Sequence, residues 1–190
     1  PIYSVSGLYR ISNEPFFKPA TGWMDNLSLR LSYGLQGNID KNTSPYLIGT
    51  YGTQTILPNN TANSISISSA PNDKLRWEKT ASYNIGVDFS VLKSAINLSV
   101  DYYYRKGTDL IGVKNLPLEN GFNGMTINWA SMENKGIEVN LQTRNITTRN
   151  FSWYTTFNFA YNYNKVLKDL ASTQSLTLGL EGNPAGTIFA

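Results

Sequence analysis

RWEKTASYNIGVDFSVL, residues 76–92, decides the fold. Ala81, Tyr83, Ile85, Val87, Phe89 and Val91 fall on odd positions; Thr80, Ser82, Asn84, Gly86, Asp88 and Ser90 fall on even ones. A period of two is that of a β-strand with one apolar and one polar face. The run is long for a globular strand, whose usual length is about 5–6 residues. A tilted strand that crosses a bilayer needs about 9–11.

Four more segments repeat the pattern. DNLSLRLSYGLQGN places Leu27, Leu29, Leu31, Tyr33 and Leu35 in phase. INLSVDYYYR does so with Ile96, Leu98, Val100, Tyr102 and Tyr104, and GIEVNLQTR with Ile137, Val139 and Leu141. FSWYTTFNFAYNYN follows with Phe151, Trp153, Phe157, Phe159, Tyr161 and Tyr163. A sixth strand is expected near Tyr3–Arg10. No stretch reads as a helix, and no apolar run reaches the 18 residues of a transmembrane helix. The fold class is therefore all-β, an antiparallel meander. Tight turns are expected near Lys93-Ser94 and between Ile146 and Arg149. Long loops are expected over 37–76 and 106–134, about 40 and nearly 30 residues. Such loops suit a compact soluble domain poorly. Short turns at one end and long loops at the other are the habit of outer-membrane barrels.

Composition narrows the function. Of 190 residues, 15% are charged, against roughly 25% in soluble domains. The net charge of +3 comes from scattered lysines and arginines, so no nucleic-acid surface is expected. With neither cysteine nor histidine, the chain lacks thiolate ligands, the usual zinc ligands and the commonest general base. No metal, cofactor or catalytic residue is expected. One enzymatic reading pairs Asp88 with Asp101 as glycosidase carboxylates, which need a separation of about 5–10 Å. The plainer alternative makes them two solvated charges near Arg30 or Arg105.

Alternation alone does not say what covers the apolar face. A soluble, secreted carbohydrate-binding β-sandwich would bury it under a second sheet, and a membrane barrel would turn it to lipid. The charges keep to the polar side: Arg30, Asp88, Asp101, Arg105, Glu138 and Arg144 all fall there, with Tyr103 and Tyr154 as its aromatics. These eight are the candidate lumen-facing residues. Lys79, Lys135 and Lys165 break phase, which is expected of strand ends. The aromatics of the other face sort by height. With the long loops outermost, Tyr33, Tyr83, Tyr102, Tyr104, Tyr161 and Tyr163 lie near the outer rim, and Trp23, Phe89, Phe151 and Trp153 near the inner one. Aliphatic residues such as Val87 lie between. Two aromatic girdles around an aliphatic band are expected of a lipid-facing wall. On this assignment Val87→Arg is costly and Ser90→Arg, on the lumen side, is cheap.

LSLRLSYGLQGN, LRWEKTASYNIGVDF, DYYYRKGTDLI and NKGIEVNL, in this order, resemble the C-terminal part of the barrel of SusC/RagA-type TonB-dependent outer-membrane transporters. The resemblance runs from about Tyr9 onward. It implies that residues 1–190 are a segment of a barrel of about 22 strands, with plug and TonB box outside these residues. It also implies import of oligosaccharides or peptides across the outer membrane of a Gram-negative bacterium. A SusD-like surface lipoprotein would cap the barrel, TonB–ExbB–ExbD would energise it, and outer-membrane lipid would surround it.

Overall fold

The computed structural model describes residues 2–169 and 181–185, apart from 21, 40, 42, 59 and 68. Among the described residues eight strands form: β1 (Tyr3–Arg10), β2 (Met24–Asn38), β3 (Gly49–Leu57), β4 (Asn60–Ile67), β5 (Glu78–Val91), β6 (Ile96–Asn115), β7 (Gly124–Thr147) and β8 (Ser152–Lys168). Six of them make one sheet in the order β1-β2-β5-β6-β7-β8, and β3 pairs with β4 alone. All six alternating segments are strands. Short 3-10 turns at Ile11–Asn13, Pro15–Ala20 and Leu118–Asn120 interrupt the β structure.

Two expected loops are not loops. The 37–76 segment carries the β3–β4 hairpin, paired antiparallel from Gly49↔Ile67 to Leu57↔Asn60 with an irregularity between Thr55 and Leu57. The 106–134 segment belongs mostly to β6 and β7, which leave only 116–123 between them. The reason lies at Asp109, which has φ 57 inside β6. A left-handed residue within a strand marks a bulge, and a bulge shifts the alternation by one. KGTDLIGVKN therefore loses its period of two while remaining extended.

The chain divides into two compact units, Pro1–Gln36 with Thr80–Lys106 and Glu133–Lys165, and Gly37–Lys79 with Gly107–Met132 and Val166–Ala190. In the first, β1 and β2 pair antiparallel from Tyr3↔Leu35 to Arg10↔Ser28. The β5–β6 turn closes with Ala95 N–H on the Leu92 carbonyl at 3.2 Å. Its central residues Lys93 and Ser94 both have φ 57, as a two-residue hairpin loop on right-twisted strands requires. The Asp25 carboxylate accepts from Ser94 N–H at 2.8 Å, satisfying a donor that the turn leaves free.

The apolar face does not converge on a dry centre. Leu31 is 49% exposed, Ile85 47% and Phe157 54%, and Val91 and Val166 are the buried hydrophobic residues among those described. A β-sandwich core is therefore not what this alternation builds. Isolated apolar side chains on a surface need no explanation, but a contiguous face of this extent does.

Candidate functional site

The polar side of the first unit is knitted by side chains. Arg30 on β2 reaches Asp88 on β5 through Nε at 2.8 Å and Nη2 at 3.1 Å. The same Nη2 lies 3.0 Å from Asp101 Oδ1 on β6. Ser99 Oγ donates to Asp88 Oδ1 at 2.8 Å and accepts from Arg30 Nη2 at 3.2 Å. One planar guanidinium with several forked donors can hold two carboxylates in this way. Gly86 makes the room: a Cβ there would meet the Asp101 carboxylate and, at 2.8 Å, Arg30 Nη2. The two aspartates do meet, as their hairpin neighbourhood suggested. They meet around Arg30, however, and each carboxylate is taken up by the guanidinium, not left as a free acid–base pair.

Further along, Tyr103 on β6 extends over Gly136 on β7, where a Cβ would come within 2.6 Å of the phenol oxygen. The hydroxyl donates to Asn162 Oδ1 on β8 at 3.0 Å. Arg105 stacks on the same ring, with its Cζ 5.3 Å from the centroid, so it joins Tyr103 and not the aspartates. Asn84–Ser32 at 3.0 Å, Ser90–Asn97 at 2.6 Å, Asn140–Asn158 at 2.7 Å and Asn164–Asn134 at 2.6 Å continue the pattern. Glu138 lines a recess of about 340 Å³ with Ser99, Asp101, Asn140 and Asn158. Arg144 Nη2 donates to the Lys93 carbonyl at 3.0 Å, tying β7 to the β5–β6 turn. Tyr154 is exposed. Ser90 is buried, unlike the free position that a harmless Ser90→Arg requires. The neighbouring turn covers it: its hydroxyl donates to Asn97 Oδ1 and lies 3.3 Å from Ser94 Oγ, from which it can accept.

The opposite side carries a row of rings. Tyr3–Tyr33, Tyr33–Tyr83 and Tyr83–Tyr104 centroids lie 6.0, 4.8 and 6.2 Å apart, crossing β1, β2, β5 and β6. Trp23 and Phe89 meet edge-on at 6.5 Å, close to the β5–β6 turn, where Leu92 N–H donates to the Trp23 carbonyl at 2.8 Å. Phe151 and Trp153 are exposed beside the β7–β8 turn, and Tyr102 and Tyr161 are exposed on their strands. The Lys135 ammonium sits 5.1 Å from the Tyr163 ring. Lys135 lies in the middle of β7, not at a strand end as its broken phase implied, while Lys165 lies close to the end of β8.

The second unit holds a network that alternation does not announce. Arg76, Glu78 and Lys79, at the entry to β5, are all engaged. Arg76 Nη2 pairs with Asp109 Oδ1 at 2.5 Å, and Lys79 Nζ with Asp109 Oδ2 at 3.3 Å. The Arg76 guanidinium holds the Asp109 carboxyl below its ordinary range; partial burial opposes this and Lys79 assists. Asn128 Nδ2 donates to the Arg76 and Asp109 carbonyls at 2.7 Å each. Glu78 accepts from Ile111 N–H and from Asn38 Nδ2, both at 2.9 Å. One available signal was the alternation of Met125, Ile127 and Trp129 in phase with Ile137, which places Asn128 on the other face of the same strand. No group of three or more metal-ligating side chains occurs among the described residues.

Residues 4–188 match the family described as TonB dependent receptor-like, beta-barrel. A TonB-dependent receptor of Formosa agariphila is 35% identical over 185 residues, which are 95% of this chain and 17% of that protein. The TonB-dependent receptor SusC of Bacteroides thetaiotaomicron is 34% identical over 166 residues, 84% of this chain and 16% of its own length. Among solved structures, the RagAB peptide importer in its closed-closed state superposes with a TM-score of 0.77 at 28% identity, covering 96% of this chain and 20% of that one. The chain thus spans about a sixth of the curated relatives it matches.

Proposed function

Because this chain belongs to the TonB-dependent receptor family, as a stretch of its β-barrel, we propose that residues 1–190 form part of the wall of an energised outer-membrane importer. The two sides of the sheet carry this reading. One is a hydrogen-bonded lattice of Asn, Ser, Asp and Arg; the other is exposed and apolar, with a tyrosine row at one height and Trp23–Phe89 at another. Lipid covers the apolar side at no cost in unpaired polar groups, and water fills the other. Arg30, Asp88, Asp101, Tyr103, Arg105, Glu138, Arg144 and Tyr154 then face the lumen. The ten girdle aromatics sit at the membrane interfaces.

The wall is passive in this mechanism. It holds position and keeps the lumen wet, while a plug and TonB box elsewhere in the whole protein receive energy from TonB–ExbB–ExbD. A SusD-like lipoprotein closes the outer mouth. The cargo is an oligosaccharide or a peptide, as the SusC/RagA-type resemblance implies, and the RagAB match is a peptide importer.

Extraction and growth test this reading together. The whole protein should stay with outer-membrane fractions in buffer and leave them in detergent. A strain lacking it should lose growth on one class of oligosaccharide or peptide as sole nutrient. Release into buffer alone, or unimpaired growth across both classes, contradicts it.

A further inference from the structure

Lys135 and Lys165 occupy the side of the sheet that alternation reserves for apolar residues. With Tyr102, Ile137, Tyr161 and Tyr163 they line an open recess of about 580 Å³ on β6, β7 and β8. The Lys135 ammonium lies 5.1 Å from the Tyr163 ring, and neither lysine is ion-paired to a carboxylate among the described residues. Glu133 shares the recess, and its carboxylate accepts the Tyr104 hydroxyl at 3.1 Å. The recess therefore presents two ammonium groups against one engaged carboxylate.

Cations on an apolar wall are costly at the membrane centre and favourable at headgroup level, where anionic lipid attracts them. The rings here continue the height of the tyrosine row, since Tyr104 belongs both to that row and to the Glu133 contact. We propose that this recess binds the phosphate of an anionic lipid headgroup at the membrane interface. Lys135 and Lys165 provide the charge, Tyr161 and Tyr163 hydroxyl donors, and Ile137 with the Tyr102 ring carbons the seat for the first acyl carbons. A lipid, not free phosphate, is the occupant because the cations are embedded in ring and aliphatic carbon. The inference rests on the lipid-facing assignment of this side.

The test counts lipids retained by the whole protein in detergent, using native mass spectrometry with phosphatidylglycerol and phosphatidylcholine offered in equal amounts. The unmodified protein should prefer phosphatidylglycerol. Lys135→Gln with Lys165→Gln should lower that preference roughly 10- to 30-fold, and each single change about fivefold, so either single variant serves if the pair fails to refold. Lys93→Gln, in the β5–β6 turn, should leave it unchanged. Retained preference in the recess variants overturns the proposal, as does equal loss in Lys93→Gln. Full displacement of phosphatidylglycerol by excess inorganic phosphate also overturns it. If the unmodified protein holds neither lipid, the wall assignment itself fails. If it holds both equally, only the headgroup site does.

Discussion

Tyr103 lies across Gly136, and its hydroxyl reaches Asn162 one strand further on at 3.0 Å. Three strands, β6, β7 and β8, are thereby joined on one side of the sheet by a single side chain that spans the middle one. A side chain at residue 136 would occupy the space of the phenol and of the Tyr161 carbonyl. Gly136→Ala should therefore cost about 1–3 kcal/mol, the range for overpacking. Urea unfolding of the whole protein in micelles measures it, and an unchanged midpoint would show that the ring moves aside freely.

Arg30 is the shared partner of Asp88 and Asp101. Removing it leaves two carboxylates facing each other without a cation. All three side chains are partly exposed, so the loss for Arg30→Ala should fall between surface and buried pairs, at about 1–2 kcal/mol. Adding Asp88→Asn and Asp101→Asn should recover part of that loss. Arg30→Lys should not restore the wild-type value, because a point charge does not reproduce the fork.

Asp109 should impose an acid dependence on the second unit. Its carboxyl is held below the ordinary value by Arg76 first, with Lys79 assisting. A folded-state value below the unfolded one contributes stability above the unfolded pKa, and that stability is lost as pH falls through the folded one. Amide exchange protection at Arg76, whose N–H donates to the non-titrating Asn128 Oδ1, should therefore fall between about pH 5 and pH 2 once corrected for intrinsic rate. In Asp109→Asn the profile should be flatter. The same slope in both proteins would assign the acid response to other groups.

Facing is tested by a pair of arginines. Val87→Arg on the apolar side should cost about 2–4 kcal/mol if it lies near the middle of a bilayer. Gln142→Arg, exposed on the polar side, should cost much less. Ser90 is unsuited to this comparison, since burial and its bond to Asn97 make any replacement expensive. Equal losses at 87 and 142 in a refolding assay would reject the assignment of faces.

Much of this was legible in residue order. Each side chain in a strand points opposite to its neighbour, so Leu29 and Arg30, or Tyr102 and Tyr103, are separated by parity alone. The turn at Lys93-Ser94 and the strand at Tyr3–Arg10 follow from the same pattern. The outer parts of β6 and β7 did not, because Asp109 breaks the period and Ser131, Glu133 and Lys135 interrupt a second alternation. The β3–β4 hairpin was hidden by its Asn, Ser and Thr, which favour turns as readily as strands that need no core.

The sequence by itself determined which side chains share a face, since parity is a local property of an extended backbone. Only the tertiary structure decided which of them meet. Arg30, Asp88 and Asp101 are brought together by the β2–β5–β6 pairing, and Tyr103, Gly136 and Asn162 by β6–β7–β8. Register between distant strands is set by pairing that no short stretch of sequence contains.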